Sequence, residues 1–137
     1  MTVIESRTST TRNRNQQLPT TSGTESARSW TAACTVDALV PGRGVAVLLS
    51  GGTQVALFAL PDARVFAVGN IDPFGRAAVM SRGLVGDRSG EPTVASPLLK
   101  QVFSLLDGRC LDVSDISLGS FETKISGGVI FVRGAST

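Results

Sequence analysis

The side chains that most often carry enzyme chemistry are scarce in this chain. It has no histidine, which excludes Ser-His-Asp catalysis, imidazole metal sites and imidazole acid–base work. Two cysteines, Cys34 and Cys110, are too few for a four-thiolate zinc or iron–sulfur site. Cys34 follows two alanines and Cys110 opens an apolar run, so both read as small core residues rather than nucleophiles. Ser81, Ser96 and Ser104 have no histidine partner and no Gly-x-Ser-x-Gly elbow. Asp72, Asp87 and Glu91 share one loop-rich stretch, and paired carboxylates can bind a hard cation or transfer protons. No EF-hand or similar spacing accompanies them, and they read as turn caps. Gly83-Leu84-Val85-Gly86-Asp87 has the glycines of a phosphate loop without its lysine or its following helix. Arg82 and Arg88 read as surface charges. The inventory comes back empty, and the chain is poorly equipped to be a self-sufficient enzyme.

The elements that would position any site fall in one domain. The chain has 137 residues, enough for a single core. Thirteen basic against 11 acidic residues give a net charge of +2, too weak a bias for a nucleic-acid binder. That excess sits before Trp30, where Arg7, Arg12, Arg14 and Arg28 face Glu5 and Glu25; the rest of the chain holds nine basic and nine acidic residues. Ser and Thr make up 12 of the first 29 residues, and such a stretch cannot bury enough apolar surface to offset the entropy of ordering it. Residues 1–29 are therefore expected to form a disordered tail, and 30–137 the domain. No apolar run approaches the roughly 20 residues of a spanning helix. The first ten residues lack the apolar core of a secretory signal. A cytoplasmic location is expected, with neither membrane nor nucleic acid as partner.

From Trp30 onward the pattern is β. Val45–Leu49 and Thr53–Leu60 are apolar runs separated by Ser50-Gly51-Gly52, which reads as a hairpin. Pro61-Asp62 makes a second turn, leading into a strand over Arg64–Val68. Further strands are expected at Pro92–Ser96, Gln101–Leu105, Cys110–Val113, Ile116–Ile125 and Val129–Arg133, with turns at Asp107-Gly108 and Gly127-Gly128. Between Gly69 and Glu91 there is little strand pattern beyond Ala77–Met80 and Leu84–Val85, and Thr35–Val40 reads as one helical turn. No internal repeat is seen. The second strand is apolar on both faces (Val55, Leu57, Ala59; Ala56, Phe58, Leu60), so its sheet is expected to be covered on both sides, by a second sheet or a partner. The fold class is all-β: a sandwich or barrel of short antiparallel strands.

The order of loops is more informative than any single residue. Val65–Phe74 resembles the first cluster-binding segment of Rieske [2Fe–2S] domains, in which a strand runs into a Cys-x-His loop. Ala95–Leu105 resembles the second, in which Cys-x-x-His leads into a strand and a turn, here Asp107-Gly108 before Cys110. On this register the four ligand positions hold Asp72, Phe74, Ser96 and Leu99. A Rieske site needs two thiolates on one iron and two imidazoles on the other. Phe and Leu cannot ligate iron, and Asp and Ser are hard oxygen ligands mismatched to an iron–sulfide core. The resemblance implies a Rieske-like barrel with a smaller, loop-rich inserted lobe (about 69–106) and no cluster.

One family combines these features. Trp30 to Cys34, Pro41 to Gly44, Gly69-Asn70-Ile71-Asp72-Pro73-Phe74, Ser81 to Asp87 and Ser96 to Phe103 resemble, in order, the recurring strings of the small subunit of the NAD(P)H-dependent assimilatory nitrite reductase. The resemblance covers about residues 30–113. It implies an auxiliary subunit with no catalytic residue and no cofactor of its own. Its partner is a large subunit carrying FAD, an iron–sulfur cluster and sirohaem, which reduces nitrite to ammonia. The competing readings are a free-standing Rieske-fold binding module for another redox enzyme, and an enzyme built on the carboxylates Asp72 and Asp87. A further expectation is that Phe74 and Leu99 meet and plug the emptied cluster space, since polar side chains there would be hard to satisfy; the alternative is that both are exposed and form part of the docking surface for the large subunit.

Overall fold

Short apolar runs, each ended by a turn residue, give ten strands and only single 3-10 turns among the described residues. The computed structural model describes residues 3–5 and 29–134. The strands are β1 (Val3–Glu5), β2 (Thr31–Thr35), β3 (Val45–Leu48), β4 (Gln54–Ala59), β5 (Val65–Gly69), β6 (Leu84–Arg88), β7 (Glu91–Ala95), β8 (Val102–Ser104), β9 (Ser120–Ser126) and β10 (Val129–Arg133). Seven form one sheet in the order β1-β3-β4-β5-β9-β10-β2, and β6-β7-β8 form a second. The edge strands β1 and β2 approach each other, which nearly closes the large sheet into a barrel. The three-stranded sheet is inserted between β5 and β9. This is the expected all-β architecture of a barrel with a smaller lobe.

The β3–β4 hairpin forms as its glycines require. Gly51 and Gly52 both lie at φ +94, and Val47 pairs with Val55 and Ala46 with Ala56. Strand β4 is buried on both faces, and the cover comes from within the chain. Val55, Leu57 and Ala59 enter the barrel core with Val45, Val47, Ile130 and Val132. Ala56, Phe58 and Leu60 enter a second core with Val68, Met80, Val94, Phe103 and Leu105, which joins the barrel to the lobe. The lobe sits close because Gly44 leaves room: a Cβ there would fall 2.3 Å from the Ser81 carbonyl oxygen and 2.6 Å from the Phe58 ring.

Several expectations are corrected. Val3–Glu5, within the stretch expected to be disordered, pairs in parallel with β3, whose outer edge offers unpaired backbone groups. The rest of that expectation, residues 1–2 and 6–28, lies outside the described residues. Thr35–Val40 yields only a 3-10 turn at Val36–Ala38, preceded by the unanticipated β2. Cys110–Val113 is no strand; Cys110 forms a single bridge with Phe103, and the chain then turns, because Asp112 is used to cap the Val102 N–H at 2.8 Å. β6 runs farther than Leu84–Val85, pairing with β7 as far as Arg88 opposite Glu91. Its side chains are mostly exposed, so it carries no apolar alternation to betray it.

Candidate functional site

Two loops, 72–77 and 96–101, carry the residues that the Rieske resemblance aligns with cluster ligands. Asp72 and Ser96 are buried, at 0% and 1% exposure, and the Ser96 hydroxyl donates to Asp72 Oδ2 across 2.5 Å. The other carboxylate oxygen, Oδ1, accepts from the N–H groups of Phe74 (2.8 Å) and Gly75 (3.3 Å). Ser96 Oγ in turn accepts from the Leu98 N–H at 3.2 Å. A buried carboxylate with three donors is fully served, as burial demands.

The two loops are built alike. Residues 72–77 read Asp-Pro-Phe-Gly-Arg-Ala, and 96–101 read Ser-Pro-Leu-Leu-Lys-Gln. In each, the first residue's N–H donates to the sixth residue's carbonyl: Asp72 to Ala77 and Ser96 to Gln101, both at 2.9 Å. The fifth residue's N–H returns to the first carbonyl, Arg76 to Asp72 at 2.7 Å and Lys100 to Ser96 at 3.2 Å. The first side chain caps the third N–H in both. Arg76 and Lys100 both adopt left-handed backbone, at φ 58 and 68. An internal repeat therefore exists, six residues long; the X-Pro-apolar-x-cation pattern was its visible signal.

Neighbouring residues brace the loops. Asn70 is buried; its Oδ1 accepts from the Ser81 N–H at 2.8 Å, and its Nδ2 donates to Gln54 Oε1 at 3.1 Å. Asn70 thereby joins β4, the first loop and the 3-10 turn at Met80–Arg82. It is a positioning residue whose role no sequence motif signals. Below the second loop, Glu91 accepts from the Ser104 hydroxyl at 2.5 Å and pairs with Arg109 at 3.1 Å. Arg109 also pairs with Asp107. The Arg109 backbone N–H first, then its guanidinium, hold the Asp107 carboxyl below the usual carboxylate range.

The expected plug forms by half. Phe74 packs into the second core, its ring 6.3 Å from that of Phe103. Leu99 is 54% exposed and does not complete the plug. The gap it would fill is already closed by the direct Asp72–Ser96 bond. Phe74→Ala is thus expected to cost about 1–2 kcal/mol, and Leu99→Ala under about 0.5 kcal/mol. Thermal melts of the two variants check this; equal losses would contradict it.

The other sequence candidates are not brought together. Asp87 caps the β6–β7 turn through the Gly90 N–H at 2.9 Å, Glu91 serves Ser104 and Arg109, and Asp72 is committed to the loops. Gly83–Asp87 leads into a hairpin strand, not a helix. Arg88 makes an exposed ion pair with Asp112 at 3.5 Å. Cys34 and Cys110 are free thiols, and burial pushes the Cys34 thiol up, away from thiolate reactivity. Among the described residues, no group of three or more His, Cys, Asp or Glu could hold a metal. An open cleft of about 520 Å³ beside Pro61 is lined by Asp62 and Arg64, paired with each other at 2.9 Å, and by Asp87, which is committed to the Gly90 N–H.

The arrangement does not fit an iron–sulfur cluster. On the register that the Rieske resemblance suggests, Asp72 and Ser96 are oxygen groups already hydrogen-bonded to each other, and Phe74 and Leu99 are hydrocarbon. What remains is a pair of loops joined by a direct hydrogen bond.

Comparison with known proteins agrees with this geometry. Residues 29–133 match the Rieske-like [2Fe-2S] domain family. The nitrite reductase (NADH) small subunit of Salmonella typhimurium is 45% identical over 106 residues, covering 77% of this chain and 97% of that one. A region of the nitrite reductase [NAD(P)H] large subunit of Klebsiella oxytoca is 41% identical over 106 residues, 77% of this chain but 11% of that one. The crystal structure of an NADH-dependent nitrite reductase small subunit from Mycobacterium tuberculosis has 53% identity and a TM-score of 0.77, covering 80% of this chain and 98% of its own. A Rieske-like barrel matched at 45% identity along nearly the whole length of that small subunit belongs to the nitrite reductase small-subunit family.

Proposed function

We propose that this chain is the auxiliary small subunit of a cytoplasmic NAD(P)H-dependent nitrite reductase. It docks on a large subunit that carries FAD, an iron–sulfur cluster and sirohaem, and supports assimilatory reduction of nitrite to ammonia without a cofactor of its own. The observation that carries the reading is the Asp72–Ser96 hydrogen bond, which joins the two loops that resemble the cluster-binding segments of a Rieske protein. A domain so built keeps the shape of a redox partner without the means to pass electrons. The Klebsiella large subunit, which contains a domain of this kind within one chain, supports the choice of partner.

The test is co-expression with the large subunit from the same cell. The complex is expected to co-purify and to oxidise NAD(P)H with nitrite, and the small chain alone is expected to do neither that nor bind iron. Failure to co-purify, or a Rieske-type paramagnetic signal with near two irons per isolated chain, would overturn the proposal.

A further inference from the structure

The tip formed by the two loops concentrates features that a solvated loop does not need. Ile71, Leu98 and Leu99 are exposed there. Leu84, paired in register with Ala95 just before the second loop, is 76% exposed. Leu98 lies over the first loop, since a Cβ on Gly75 would fall 2.8 Å from Leu98 Cδ1. Leu98 of the second loop therefore reaches the first loop at Gly75.

The charges at this tip all have one sign. Residues 71–76 and 96–100 contain Arg76 and Lys100 as cations, and their one acid, Asp72, is buried. The domain as a whole is balanced between basic and acidic residues, so the bias is local. Neither cation makes an ion pair with a described residue. Both sit in left-handed backbone, where glycine would be relaxed and a long side chain is strained. The same backbone occurs at Ala63, Ser89 and Asp115, so the unpaired cations, and not the conformation, set these two positions apart.

We infer that this tip is the surface that docks on the large subunit, against a face with an apolar centre and an acidic rim. The inference rests on the proposed function for the identity of the partner. Apolar contact with Leu98, Leu99 and Leu84 supplies the centre, and Arg76 and Lys100 set orientation and encounter rate. The Asp72–Ser96 bond holds the two halves of the patch in one geometry, so docking orders little that is not already ordered.

The test measures affinity of the full chain for the purified large subunit, at low and high salt, alongside the melting temperature of each variant. Leu98→Asp/Leu99→Asp is expected to bind at least about 30-fold more weakly. Arg76→Gly/Lys100→Gly is expected to bind about tenfold more weakly at low salt, with the difference shrinking at high salt, while its melting temperature stays level or rises because the backbone relaxes. Val36→Asp/Val40→Asp, on exposed apolar residues of the barrel, is expected to bind as wild type. Tip variants that bind as wild type, or a Val36/Val40 variant weakened as much as they are, would overturn the inference. Wild-type chain that fails to bind would instead overturn the proposed function.

Discussion

Asp72→Ala is expected to lower the melting temperature of the chain by about 10–20 °C, a loss of about 3–5 kcal/mol. The removed carboxylate accepts from the Phe74 and Gly75 N–H groups and from the Ser96 hydroxyl. Each donor left without a partner in a buried place costs about 1–3 kcal/mol. Ser96→Ala removes one of those three bonds and orphans the Leu98 N–H, so a smaller loss of about 1–3 kcal/mol is expected. The double variant is expected to fall short of the sum of the two, because both remove the same bond. Chemical denaturation of the four proteins measures this coupling. A melt of Asp72→Ala within about 3 °C of wild type would show that the loops keep their shape without the bond.

Gly108→Ala is expected to be nearly as damaging, at about 3–4 kcal/mol. Gly108 has φ +83, where an L side chain is strained. A Cβ there would also fall 2.4 Å from the Gly119 carbonyl oxygen and 2.8 Å from the Gly119 amide nitrogen, with only backbone to yield. The same contact carries a hydrogen bond, Leu118 N–H to the Gly108 carbonyl at 2.8 Å, and the neighbouring Gly119 carbonyl accepts from the Gly69 N–H at 3.3 Å. Displacing one backbone therefore disturbs the seam between lobe and barrel. Gly119→Ala, at φ +77 but with nothing near its Cβ, separates the two causes: it carries backbone strain alone and is expected to cost about 1–2 kcal/mol. Equal losses for the two variants would show that the close approach contributes nothing.

How much of this was legible follows from where each signal lives. β3, β4 and β5 announce themselves through unbroken apolar runs bounded by Gly51-Gly52 and Pro61-Asp62, and the two-faced burial of β4 was written in six consecutive apolar residues. β6 was obscure because pairing with β7, not burial, makes it a strand, and pairing leaves no trace in its composition. Cys110–Val113 misled in the opposite direction: apolar residues there plug a core at Cys110 and then turn away. Asp72 and Ser96 could be singled out by loop order alone. Their bond to each other could not, because it depends on two segments 24 residues apart meeting within 2.5 Å. Leu99 was misjudged because apolar character favours burial without requiring it.

The two faces of β4 have a consequence for how the molecule comes apart. Val55, Leu57 and Ala59 belong to one core and Ala56, Phe58 and Leu60 to the other, so a single six-residue span carries load for both. Neither the lobe nor the barrel can release its interior without stripping one side of that strand. Partial opening of the lobe alone would wet Phe58 while its backbone stayed pinned between β3 and β5. The penalty for such half-open forms pushes the chain toward all-or-none melting. The lobe is thus tied to the barrel through one strand and does not form a separately fraying unit.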